Sequence, residues 1–101
     1  MLRIPTHPGA ILKDEIEALA MSGNALAKDL GVDAPRVHEI IKCRRAVTPE
    51  TAIRLAAYFG GSPLVWLRMQ AAYDLAKLEN EKGDSIRRNV RRNQEIQITT
   101  L

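Results

Sequence analysis

The chain has 101 residues, 46% of them hydrophobic and only 4% aromatic, with a formal charge of +3 and an isoelectric point near 9.4. That length allows one small domain, and a core so poor in aromatics must be built from Leu, Ile, Val and Ala, which suits helices better than sheets. The single cysteine, Cys43, excludes an intrachain disulfide; with no signal peptide and no apolar run long enough to span a bilayer, a cytoplasmic setting is expected.

Residues 1–7 are a short lead containing Pro5. Pro8 stands where a helix can begin, and the pattern predicts a first helix running on from Gly9 to Ala20. Leu12, Ile16 and Leu19 give its buried stripe, with Lys13, Asp14 and Glu17 turned away.

Residues 22–45, SGNALAKDLGVDAPRVHEIIKCRR, read as two short helices joined by a tight turn. Ser22 can cap the first of them, although Gly23 weakens its start. Ala25, Leu26, Ala27 and Leu30 form a small apolar body, and Gly31 supplies the permissive residue that ends a helix cheaply. Asp33 is a second N-cap candidate, and Pro35 falls early enough in the next helix to be tolerated. Val37, Ile40 and Ile41 share one apolar face, leaving Arg36, His38, Glu39 and Lys42 to point elsewhere. Either a helix-turn-helix or any compact helical hairpin fits this pattern. The charges favour the first. Between Ala34 and Arg45 the cations are Arg36, Lys42, Arg44 and Arg45 and the only anion is Glu39, a local excess of +3 that equals the excess of the whole chain. A basic patch beside such a helix is the electrostatic footprint of phosphate contact. Cys43 reads as an ordinary small residue in that patch.

Thr48-Pro49-Glu50 is a strong helix start, combining a capping hydroxyl, a first-turn proline and an early carboxylate. Ala52, Leu55, Ala56 and Phe59 make the inward face of that helix, and Gly60-Gly61 stops it. Ser62-Pro63 repeats the cap-plus-proline start for a longer helix, expected from Pro63 to about Glu81. It carries two apolar stripes, Leu64, Leu67, Ala71, Leu75 and Leu78 on one side and Trp66, Met69, Tyr73 and Ala76 on the other. One stripe should pack on the helix-turn-helix. The other is covered by the first helix, by a second subunit or by a different protein.

Gly83-Asp84 is expected to break the helix, dividing a DNA-binding domain, 1–82, from a basic tail, 83–101. In the tail, Arg87, Arg88, Arg91 and Arg92 would share one face if helical, and Ile96 and Ile98 alternate with polar residues as in a short strand. The alternative is a frayed terminus. Nothing supports catalysis. His7 and His38 are the only histidines and lie on different elements, with no metal-ligand spacing and no phosphate-binding glycine loop. No cofactor, metal or small-molecule ligand is expected, and the chain reads as a binding protein and not an enzyme.

The sequence resembles HigA-type antitoxins of the lambda-repressor-like helix-turn-helix superfamily. The likeness is carried by His7-Pro8-Gly9-Ala10-Ile11-Leu12, by Asn24-Ala25-Leu26-Ala27 with Gly31-Val32 and Glu39-Ile40-Ile41, and by Thr51-Ala52-x-Arg54-Leu55-Ala56 with Phe59-Gly60. Its most specific piece is Ser62-Pro63-x-x-Trp66-Leu67 followed by Gln70-x-Ala72-Tyr73-Asp74-Leu75. The match covers residues 7–80. It implies an all-α, five-helix domain acting as a homodimeric repressor on double-stranded operator DNA of its own operon. It also implies a HigB-like, mRNA-cleaving toxin as partner. Carried over by position, Ala34, Pro35, Arg36, His38 and Glu39 would face the groove, while Ser22, Asn24, Lys42, Arg44 and Arg45 would meet phosphates. Gly23 stands where relatives often have Gln, and Ala34-Pro35 can touch thymine methyls but cannot make bidentate hydrogen bonds. Base reading would then rest mainly on Arg36. The rival readings are a stand-alone regulator with no toxin, and a protein-interaction module that no longer binds DNA.

Overall fold

The computed structural model describes residues 2–93, which are all-α. Five helices form the domain: α1 (Pro8–Ala18), α2 (Gly23–Leu30), α3 (Ala34–Ile41), α4 (Pro49–Phe59) and α5 (Pro63–Leu78). A π-helical turn, Glu79–Gly83, and a short α6, Asp84–Asn89, continue the path of α5.

The capping signals act as their chemistry dictates. The Ser22 hydroxyl accepts from the Ala25 N–H at 3.0 Å, Thr48 from Thr51 at 3.3 Å and Ser62 from Leu64 at 3.2 Å. Asp33 differs. It occupies the N-cap position of α3 without a capping bond, and its carboxylate lies 3.9 Å from Arg36 Nε instead. The α1 cap is His7, a buried residue whose Nδ1 accepts from the Gly9 N–H at 2.8 Å. The Tyr73 ring of α5 meets that imidazole edge-on at 4.8 Å.

Three helices end in the same way, with the N–H that follows a left-handed turning residue reaching back to a carbonyl five residues earlier. Those bonds are Met21 to Ile16, Val32 to Ala27 and Arg44 to Glu39. The turning residues are Ala20, Gly31 and Cys43, all left-handed, with φ of 54°, 73° and 60°. This corrects the expected span of the first helix. It stops at Ala18, the chain reverses at Ala20, and Met21 packs on the core while Leu19 is left 54% exposed.

The core lies between α1, α2, α3, α4 and the start of α5, around Leu12, Leu26, Val37, Ile40, Ala52 and Leu55, none more than 1% exposed. The Leu, Ile and Val side chains among them contribute roughly 1.5–3 kcal/mol each on full burial. Gly9 sets the approach of α1 to α3, because a Cβ there would overlap the Ile40 backbone carbonyl. Tyr58 Oη, 3.0 Å from Asp29 Oδ2, ties α4 to α2.

Of the two stripes on α5, Trp66, Met69, Tyr73 and Ala76 pack inward, joined by Gln70, while Leu64, Leu75 and Leu78 stay exposed. Leu67 belongs by sequence to the outer stripe but packs partly on the core. The expected break at Gly83-Asp84 does not occur. Gly83 is buried in the π-helical turn beneath an ion pair between Glu79 and Arg87, and Asp84 keeps helical angles of −66° and −40°. A glycine normally weakens a helix; here its missing side chain makes room for the pair that carries the helix onward. The arginine doublets therefore part company, since α6 ends at Asn89 and leaves Arg91 and Arg92 beyond it. The strand expected around Ile96 and Ile98 lies outside the described residues.

Candidate nucleic-acid interface

The turn at residues 31–33 joins α2 to α3, which pack together, and Ala27, 2% exposed, is part of the core they share. Val37 and Ile40 anchor the inner face of α3 in the core, so the outer face takes a fixed orientation. Along that face Pro35 is exposed, and Ala34, Arg36, His38 and Glu39 are half-buried. Just past it, Lys42, Arg44 and Arg45 are exposed. The expected groove residues thus lie along α3 with Lys42, Arg44 and Arg45 directly after it, and Ser22 and Asn24 lie at the start of α2, Asn24 reaching His38 of α3.

Two of the expected base readers are engaged within the protein. Arg36 Nη1 lies 2.7 Å from Glu50 Oε1. Glu50 also meets Arg54 Nε at 3.4 Å, and Arg54 Nη1 donates to the Leu30 carbonyl at 2.8 Å. One chain of polar contacts therefore links the end of α2 and the starts of α3 and α4. The hydrogen bond and charge of Arg36, aided by Arg54, hold the Glu50 carboxyl below its ordinary range. Arg36 Nε is buried and makes no hydrogen bond, with Asp33 Oδ1 3.9 Å away. His38 Nε2 lies 2.7 Å from Asn24 Oδ1, and its ring sits over Gly23.

The basic segment after α3 is held from behind. Gln70, only 6% exposed, accepts the Val47 N–H at 2.9 Å and donates to Asp74 Oδ1 at 2.9 Å. Val47 is itself buried, so Gln70 satisfies a backbone donor that water does not reach. Sequence reasoning missed Gln70 and Glu50 as parts that set this surface, and His7 as the cap of α1. The one available signal was a polar residue, Gln70, within an apolar helix face.

Among the described residues no helix is long and apolar enough to cross a membrane, and no group of His, Cys, Asp and Glu side chains could hold a metal ion.

Comparison with known proteins agrees with this geometry. The helix-turn-helix family HTH_3 matches residues 12–67. Virulence-associated protein I of Dichelobacter nodosus is 47% identical over 77 residues, covering 75% of this chain and 71% of that protein. An addiction module antidote protein of the HigA family from Coxiella burnetii superposes with a TM-score of 0.83 at 40% identity, covering 90% of this chain and all (100%) of the other. The Pseudomonas aeruginosa antitoxin HigA, in a structure with the higBA promoter, gives 0.81 at 38% identity, covering 86% of this chain and 96% of the other.

Proposed function

This chain belongs to the HigA-type antitoxins of the helix-turn-helix family, and on that footing we propose that it represses its own toxin–antitoxin operon as a homodimer and neutralises a HigB-like, mRNA-cleaving toxin. The observation that carries the DNA half is the cationic surface at α3, where Lys42, Arg44 and Arg45 stand exposed beside a helix whose inner face is locked in the core. A relative of 38% identity is seen with promoter DNA.

In this reading α3 enters the major groove, with Ala34, Pro35, Arg36, His38 and Glu39 as its facing set. Ser22, Asn24, Lys42, Arg44 and Arg45 take the phosphates. The lysine and arginines displace counterions from the duplex, which supplies much of the affinity and makes it fall steeply with salt. Arg36 reads a base edge only by exchanging Glu50 for it. Two copies would read a palindromic site one helical turn apart, and the exposed Leu75, Leu78 and Ile86 offer apolar surface for joining them. The work is binding and not catalysis, and it belongs to the cytoplasm, where operator and toxin mRNA are found.

The toxin half is tested by co-expression. The product of a short reading frame beside the gene should arrest growth when expressed alone and should be silenced, and co-purified, with this protein. Arrest that this protein does not relieve would leave a stand-alone regulator.

A further inference from the structure

We propose that His38 is a positioning residue for Asn24 and that Gly23 exists in this chain to make room for it. The inference rests on the DNA-binding reading above and assigns a role to one residue of the recognition helix.

Asn24 is exposed at the start of α2. An asparagine there is free to rotate, and ordering a free side chain on binding costs conformational entropy. His38 removes that freedom. With Nε2 donating to Asn24 Oδ1 at 2.7 Å, the carbonyl end of the amide is occupied. The amide nitrogen, a donor only, is left for an acceptor outside the protein, and a phosphate oxygen is the acceptor a duplex offers in quantity.

The bond depends on the residue beneath it. A Cβ on residue 23 would stand 2.9 Å from His38 Cε1, closer than real contacts come, and a tight 3.1 Å from Nδ1. A side chain at 23 would force the imidazole to shift from its place beside Asn24. Gly23, His38 and Asn24 therefore work as one unit, in which the glycine leaves room for the histidine and the histidine orients Asn24. Turned toward Asn24, the Nε2 proton is not available to a base edge.

The test is a scan of methylphosphonate substitutions through the operator duplex, measured on wild-type protein, His38→Ala, Asn24→Ala, the double variant and His38→Gln. Of the phosphate positions that weaken wild-type binding, one should leave both single variants indifferent. Each should lose affinity roughly two- to tenfold, the range of one net hydrogen bond, and equally on operator and random DNA. The double variant should be no weaker than either single one, and His38→Gln, whose amide can still donate to Asn24, should recover part of the loss. The proposal is overturned if His38→Ala changes the preferred base at one position while keeping the phosphate sensitivity, or if the two losses add. Wild-type protein with no operator preference would instead overturn the repressor reading, and this inference with it.

Discussion

The imidazole of His38 occupies the space that a side chain on Gly23 would need, with a Cβ there falling 2.9 Å from its Cε1. Gly9 stands in a similar relation to α3, except that the obstacle is the Ile40 backbone carbonyl. The two glycines should respond differently to alanine. At Gly23 the far end of a side chain can swing away, so the fold persists while Asn24 loses its partner. Gly23→Ala is expected to melt near the wild-type temperature and to lose DNA affinity as His38→Ala does. At Gly9 the backbone of α3 would have to move, and Gly9→Ala should cost about 3 kcal/mol or more. Thermal melting and DNA titration of both variants check the pair; a Gly9→Ala protein as stable as wild type would contradict the packing described.

Glu50 competes with DNA for Arg36, since the two side chains meet at 2.7 Å. Glu50→Gln weakens that hold and removes an anion near the duplex, so DNA affinity should rise, by up to about fivefold for an exposed pair of this kind. Arg36→Ala should cost about 1–3 kcal/mol and relax specificity at one base pair. Titrations against operator duplexes changed at single positions decide it. Equal losses on operator and random DNA would make Arg36 a strut between α3 and α4 and not a reader.

The His7 cap is sensitive to acid. Burial pushes its imidazole below the ordinary value, Asp74 opposes that shift and Lys77 reinforces it. The fold thus favours neutral His7, whose Nδ1 must stay unprotonated to accept from Gly9. The unfolded chain takes up the proton at about pH 6.5. This contribution is therefore complete above that pH and is lost as pH falls below it, through the folded value. His7→Asn keeps a capping oxygen without titrating. Its melting temperature should fall less between pH 7 and pH 5 than that of the wild type. An identical fall would remove His7 as the cause.

Ala20 and Cys43 hold left-handed conformations that side chains with a Cβ resist. Ala20→Gly and Cys43→Gly should each stabilise the protein by about 1 kcal/mol, as measured by urea unfolding. No gain at either site would mean that the strain is relieved elsewhere in the turn.

Gln70 fills one requirement that no apolar residue can. Gln70→Leu keeps the volume but strands the buried Val47 N–H, and should cost about 1–3 kcal/mol. The basic segment Lys42–Ala46 would lose its tether with it. Amide hydrogen exchange at Val47 should quicken in the variant well beyond any global change in stability; unchanged local protection would show that the loop is held by other contacts.

The starts of α2, α4 and α5 were legible in the sequence because Ser22, Thr48 and Ser62 act on groups two or three residues away. The core stripe of α3 was legible for the same local reason, since Val37 and Ile40 recur at helical spacing. What escaped was decided by partners far along the chain. Leu19 obeys the spacing of a buried position, yet the reversal at Ala20 puts Met21 in its place. Gly83 looks like a stop and becomes a seat for the Glu79–Arg87 pair. Arg36 carries the charge of a DNA reader, but only the fold brings Glu50, fourteen residues later, to its guanidinium. His38 and Asn24 are equally far apart in sequence, and nothing local announces their contact.

Repression by this protein requires that α3 and its cationic flank read a specific operator. That requirement is tested most directly by titrating the purified protein with the DNA upstream of its own gene and with random duplex, at two salt concentrations. A sequence-reading α3 gives a preference for the upstream DNA that persists at the higher salt, with both affinities falling as salt rises. Binding that is weak, equal on the two DNAs and abolished by salt would contradict it, leaving charge attraction alone and shifting the main function to a protein partner.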